Sequence, residues 1–313
     1  MAKMKAFALG VCVLVAALSV VITNGAGRPA SARDCDVEIP SGGDIARKVE
    51  AKPAGTTFCL SGRYQLARPV SPRERQVFRG PATIVGVRGN DTGFLVSQQG
   101  VRFYNLDMSG FTERAIRCSS GTQVIGGRYH HNGVNGISCG LDREGRGVLI
   151  EGVEVDHNGS ERFVFHSSAG IKILASPGSA VVRSHVHDNI GNGIWFDRDS
   201  GSSLGDLVGR NKVVGNSMRG IFYEVSRGHA VIRRNVVKGN NTSRTLGASG
   251  IGVSSSKNVK IWGNTVRDNR IWAIRSNEID RGYGLENVHI YDNAVTGELY
   301  GCHFSGVRCY EHE

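Results

Sequence analysis

One unit recurs along most of this chain and limits what it can become: a valine, two residues, then an asparagine. It stands at Val155…Asn158, Val186…Asn189, Val213…Asn216, Val237…Asn240 and Val266…Asn269, with Tyr129…Asn132 a looser copy. Successive second asparagines are 26, 31, 27, 24 and 29 residues apart. A further asparagine often lies two positions before the valine, at Asn211, Asn235, Asn264 and, in the same register, Asn293. After each unit comes a small residue followed by Ile: Ala115-Ile116, Gly136-Ile137, Gly170-Ile171, Gly193-Ile194, Gly220-Ile221, Gly250-Ile251 and Ala273-Ile274.

A repeat of this length fits a leucine-rich repeat, a propeller blade or a β-helix coil. The leucine framework of the first is absent, and blades need about 40 residues or more. Short strands separated by Gly and Asn, with no helical period, indicate a parallel β-helix, in which each thin coil buries its core only by stacking on its neighbours. Inward Val and Ile should form continuous columns. Asparagines at a corner should form a ladder, with Asn itself taking the left-handed conformation that a tight turn needs. The fold class expected is all-β, one domain, with an N-terminal cap containing one short helix at 44–51.

Residues 1–32 read as a secretory signal. Lys3 and Lys5 precede an apolar run from Ala6 to Ile22, and Ala30-Ser31-Ala32 is a small-residue cleavage site. An uncleaved membrane anchor is the alternative. The expectation is a secreted or extracytoplasmic protein with no membrane contact once the signal is removed. Residues 33–100 would form the cap and first coils, and 101–313 the repeating body. Cys12 lies in the signal, which leaves Cys35, Cys59, Cys118, Cys139, Cys302 and Cys309. An even number in an exported chain suggests disulfides, and proximity pairs them in that order. Cys118 and Cys139 have a second argument. Their strands align one coil apart, and stacked coils sit about 4.8 Å apart, within disulfide reach.

The Asn-x-Val-x-x-Asn coils, the pair GIWFD (193–197) and GIFYEVS (220–226), and HAVIRRNVVKGN (229–240) resemble the right-handed parallel β-helix repeat proteins of the pectate-lyase-like superfamily. The resemblance covers about Val101 to Val295. It implies a right-handed helix strongly. It bears on function loosely, because such proteins include lyases, hydrolases, epimerases and members without activity.

What varies among the Gly-Ile strands is the fifth residue, and two consecutive strands place Asp197 and Glu224 there. With Ile194 and Phe196 inward, Trp195 and Asp197 face out. Lys172, Trp195, Phe222 and Arg275 should then share one outer column, beside Asp197 stacked on Glu224. Carboxylates roughly 5 Å apart would repel, leaving one protonated, as glycoside cleavage needs. Trp195 and Phe222 would offer flat faces to sugar rings. Insertions at 159–169, 241–249, 140–147, 198–206 and 277–286 flank this face and would wall a groove. Arg219 and His166 are further groove candidates.

A second cluster lies at the preceding corner: His130, Asp156 and His187 in one column, His131, His157 and Asp188 in the next. These residue types suit acid–base work or a cation, yet they more often satisfy turns, and no metal-ligand spacing is present. Of them, His187 remains a candidate substrate contact.

The leading expectation is a glycoside hydrolase with Asp197 and Glu224 as acid and base or nucleophile, positioned by Lys172, Trp195, Phe222 and Arg219. A uronate lyase or epimerase is the second, with Lys172, Arg219 or His187 as base and Arg275 or calcium as neutraliser. A carbohydrate-binding protein without activity is the third. The expected partner is a polysaccharide or oligosaccharide met by a monomer, with no cofactor or metal outside the calcium of the lyase reading. The net charge of +10 suits an anionic partner. Its basic residues are scattered and aromatics few, which argues against nucleic acid. No nucleophile elbow, phosphate loop or zinc motif is present.

Overall fold

The repeats stack as anticipated. In the computed structural model, which describes residues 35–119, 121–140, 146–164, 167–198, 205–279 and 282–310, the chain is a right-handed parallel β-helix. The signal segment and His166 lie outside the described residues.

Among the described residues, the seven strands with a small residue before Ile, flanked by Thr92–Leu95 and Glu298–Tyr300, form one nine-stranded parallel sheet. The remaining strands form a larger sheet that turns a corner: the strand Val77–Gly86 pairs with both Thr57–Leu60 and Gly62–Leu66. The core lies between the two. From the nine-stranded sheet, Ile116, Ile137, Ile171, Ile194, Ile221, Ile251 and Ile274 stack in register. From the larger sheet, Val155, Val186, Val213, Val237 and Val266 stack opposite. Every one of these side chains is completely buried.

Parallel pairing begins as early as Val37–Ile39 against Thr57–Leu60. The helix expected near 44–51 spans Ile45–Glu50, and Asp44 caps it by accepting a hydrogen bond from the Arg47 amide at 2.9 Å. Its buried Ile45, Ala46 and Val49 belong to the main core. All three expected cysteine pairs are bonded, with Cα separations of 5.7 Å for Cys35–Cys59, 4.3 Å for Cys118–Cys139 and 5.6 Å for Cys302–Cys309.

Two asparagine ladders hold the corners. In one, each amide donates to the next side-chain oxygen from Asn132 through Asn158, Asn189, Asn216 and Asn240 to Asn269, at 2.8 to 3.0 Å. The other runs Asn211, Asn235, Asn264, Asn293 at 2.9 to 3.0 Å. The expectation that Asn itself turns left-handed is corrected. The left-handed residue is the one before it: His131, His157, Asp188, Gly215, Gly239 and Asp268 in the first ladder, and Arg210, Arg234, Gly263 and Asp292 in the second. Each ladder Asn points inward because its amide must reach buried carbonyls as well as its neighbour, which a solvent-facing corner side chain cannot do. The ladder also explains the small residue before each Ile. A Cβ on Gly193 would meet Asn216 Nδ2 at 2.8 Å, and one on Gly220 would meet Asn240 Nδ2 at 2.7 Å.

Candidate functional site

Strands Ala169–Leu174, Asn192–Asp197 and Ile221–Glu224 stack so that Lys172, Trp195 and Phe222 form one column, continued by Gly252 and Arg275. Leu174, Asp197, Glu224, Ser254 and Asn277 form the next. The alternation of the strand puts both columns outside the Ile core, as the sequence suggested. Outside the core, however, is not in water. Lys172, Trp195, Asp197, Phe222 and Glu224 are all buried, and Trp195 and Phe222 pack with Ala169 into a small cluster of their own.

Two expectations change as a result. The ring faces of Trp195 and Phe222 are not open to a sugar: Lys172 Nζ sits 3.3 Å from the Trp195 ring centroid, and the Arg219 guanidinium 3.9 Å from that of Phe222. The two carboxylates, although stacked, engage different partners. Asp197 Oδ2 lies 3.2 Å from Lys172 Nζ, while Glu224 Oε1 accepts from Trp195 Nε1 at 3.0 Å. Trp195→Phe keeps the packing and removes the indole donor from a buried carboxylate. It should cost about 1.5–3 kcal/mol in urea unfolding, and a loss within the range of surface substitutions would show that Glu224 does not depend on this donor.

Among the described residues, the insertions 159–169, 241–249 and 277–286 reach the face. Arg219 Nη2 and Arg275 Nη1 both donate to the carbonyl of Gly247, at 2.7 and 3.1 Å, and Gly247 lies in the 241–249 insertion. A cavity of about 300 Å³ is lined by Trp195, Phe222, Glu224, Arg219 and Arg275, with Val164, Thr245 and Ile279 contributed by the insertions. A second cavity on the same sheet, about 700 Å³, is lined by Lys172, Ser138, Arg114, Arg117 and Glu113. Arg114 and Arg117 were not singled out from the sequence. Their position on the preceding Gly-Ile strand, Arg114–Cys118, was the available signal.

Burial lowers the Lys172 ammonium from its ordinary 10.5, against the upward pull of Asp197 and Glu224. Burial pushes the Arg219 guanidinium down to about 10, with Arg275 acting in the same sense and Glu224 opposing. Arg275 is lowered by burial too. Charged groups shifted by burial in a cleft are candidates for a functional site.

His187 is not part of this face. It stands in the larger sheet, in the strand His185–His187, and lines neither cavity. The reason is topological: the Asn189 corner separates it from the strand Asn192–Asp197. The two expected corner columns are present, with Asp156 paired to His130 and to His187. Asp156 is fully buried and accepts from Arg128 through two bonds of 2.8 Å and from His157 at 2.7 Å. Burial alone would raise its carboxyl, but these partners bring it to about 2. Beside it, Glu154, His185 and His187 come together in a group that the sequence reading missed. The alternation His-Val-His at 185–187 was the signal.

The fold is shared with solved structures. A double mutant of the periplasmic alginate epimerase AlgG is 14% identical, with a TM-score of 0.57 over 88% of this chain and 83% of that one. The A-module of the Azotobacter vinelandii mannuronan C-5 epimerase AlgE4 is 14% identical, with a TM-score of 0.56 over 88% and 91%. Pectate lyase Pel9A is 12% identical, with a TM-score of 0.54 over 87% and 78%. The resemblance to the pectate-lyase-like superfamily therefore holds at the level of fold. No curated protein matches the sequence. Residues 119–308, more than half of the chain, match the family described as "Periplasmic copper-binding protein (NosD)", and the chain belongs to the NosD family.

Proposed function

We propose that this protein acts on a uronate-containing polysaccharide held along the nine-stranded sheet, by removing the proton next to the sugar carboxylate. The observation that carries this reading is the set of cations lining the two cavities, Lys172 buried in one and Arg219 and Arg275 half-buried in the other. Each pays a desolvation cost that an anionic sugar would offset. Guanidinium forks suit the sugar carboxylate, and by drawing its charge they acidify the neighbouring C5–H. Lys172, held below its ordinary value, suits the base that takes this proton. From the carbanion, the C4–O4 bond breaks, O4 takes the proton that Lys172 removed, and the sugar chain is left with an unsaturated uronate. Return of a proton to the opposite ring face gives the epimer instead. Neighbours named as an alginate epimerase, a mannuronan C-5 epimerase and a pectate lyase support this substrate class.

Glycoside hydrolysis by Asp197 and Glu224 draws less support, because both carboxylates are buried and already engaged, Asp197 by Lys172 and Glu224 by the Trp195 indole. Three disulfides fit an oxidising compartment, and we place the protein, as a monomer, outside the cytoplasm. The test is a panel of neutral and acidic polysaccharides followed for reducing ends, ultraviolet absorbance and epimer ratio. Absorbance or a changed epimer ratio on acidic polymers alone is expected. Reducing ends without absorbance would restore the hydrolase reading, and binding without turnover would make this a carbohydrate-binding protein.

Calcium has no part in this scheme, since Arg219 and Arg275 supply the positive charge for the sugar carboxylate. Activity should persist after exhaustive chelation, and its loss with rescue by calcium alone would return calcium to the mechanism.

The family description adds a second ligand, copper. The groove is unsuited to it, because Lys172, Arg219 and Arg275 repel a metal ion. Its donors must come from another part of the coil.

A further inference from the structure

We infer that Glu154, His185 and His187 form a binding site for one divalent copper ion, on the larger sheet and apart from the groove. The choice of metal rests on the copper reading above; the site rests on geometry. The strands Glu154–Asp156 and His185–His187 are paired with Glu154 opposite His185. Val186 enters the core, so His185 and His187 point outward together. Their rings stack with centroids 4.1 Å apart, and His187 Nε2 lies 3.2 Å from Glu154 Oε1. One donor atom from each residue lies within 4.8 Å of the other two. Metal bonds to imidazole and carboxylate are about 2.0–2.2 Å long, so donors spanning about 4 Å are needed, and the side chain of Glu154, 44% exposed, is free to close the difference.

The surroundings behave as a support for ligands. His187 Nδ1 is 2.7 Å from Asp188 Oδ2. Asp188 is thus placed to hold the Nδ1 proton once a metal takes Nε2, whose neighbour is otherwise Glu154 Oε1 at 3.2 Å. The strand itself is anchored, because Asn189 Nδ2 donates to the His187 carbonyl at 2.9 Å. Cations also stand near. Lys212 lies opposite His185 in the next coil, and Arg128 Nε is 4.0 Å from Glu154 Oε2. Arg128 is neutralised by its two bonds to Asp156. Two imidazoles and one carboxylate suit divalent copper and zinc, and copper binds the tighter of the two at a given site of this kind.

The test uses the full chain, freed of metal and titrated with copper(II) or zinc(II), read by calorimetry and by electron paramagnetic resonance. One equivalent of copper should bind, with nitrogen hyperfine structure, and zinc should bind more weakly. Asp188→Asn should weaken copper by about 10–100-fold, and His185→Gln and His187→Gln by at least that much, with circular dichroism unchanged. His130→Gln and His131→Gln, on the same corner, should bind as wild type. Copper bound with nitrogen coupling that survives both His185→Gln and His187→Gln would overturn this site while leaving the copper reading in place. A wild type that takes up no copper would overturn both.

Discussion

Lys172→Met should lower turnover of an acidic polysaccharide by about 10² to 10⁴-fold, the range for loss of a positioned base, with polymer binding largely retained. Methionine fills the space beside Trp195 but leaves buried Asp197 without its cation, so the variant is read beside Lys172→Met/Asp197→Asn, which removes both charges. Lys172→Arg should not rescue, because a guanidinium stays protonated and cannot accept the sugar proton. Turnover by Lys172→Met within a few-fold of wild type would remove Lys172 from the chemistry.

The pH profile carries the sharper version. A base must be neutral to act, so the rate should rise with pH towards the lowered Lys172 value, below the ordinary 10.5. Asp197 holds that value up, being 3.2 Å away. Asp197→Asn removes the charge and leaves burial unopposed by it, so the rising limb should move to lower pH with activity kept. A hydrolase that used Asp197 as acid or base would instead lose activity outright, which separates the two readings in one variant. The sign for stability agrees. With its pKa lowered on folding, Lys172 binds fewer protons folded than unfolded between the lowered value and 10.5. Its contribution therefore favours folding increasingly as pH rises through that window.

The fold was legible because stacking repeats make each coil state the same rule. Val at one position and Ile at another report the core column by column, and Cys118 and Cys139 tie the register independently. The register of the site was legible for the same reason, down to Arg275 two coils beyond Phe222. Burial was not. Periodicity tells which way a side chain points, and Trp195 does point away from the core. What lies over it is set by insertions such as 241–249, whose path no repeat encodes. Lys172 on the Trp195 ring followed from the shared column, whereas Arg219 on the Phe222 ring did not, since it reaches over from two residues before the strand Ile221–Glu224. Glu154 and His185 were not legible from one column, because the donor set spans two alternate positions, 185 and 187, and two coils.

Asn216→Ala should cost about 3–5 kcal/mol in equilibrium urea unfolding, among the largest effects of any single substitution in this chain. Asn216 is fully buried, and both ends of its amide are in use. Its Oδ1 accepts from the Asn189 backbone amide at 3.1 Å and from Asn189 Nδ2 at 2.9 Å. Its Nδ2 serves the carbonyls of Val186 and Val214, both at 3.3 Å, and Asn240 Oδ1 at 2.9 Å. Alanine strands the Asn189 amide where water cannot reach it and opens a void beside Gly193, which has no Cβ to fill it. Asn216→Asp is the stricter test. It keeps the acceptor for Asn189 but turns an oxygen towards three other oxygens, so at neutral pH it should destabilise more than alanine despite losing fewer atoms. The new carboxyl would have its folded value raised, so its penalty should ease as pH falls and grow as pH rises. Asn293 ends the other ladder and is only half-buried, donating to the carbonyls of Ile261 and Tyr291, so Asn293→Ala should cost less. If Asn216→Ala shifts stability by no more than the ~0.5 kcal/mol of a surface change, the ladder is a consequence of stacking and not a cause of it. If aspartate proves the milder of the two, the donor half of the amide is not what the corner requires.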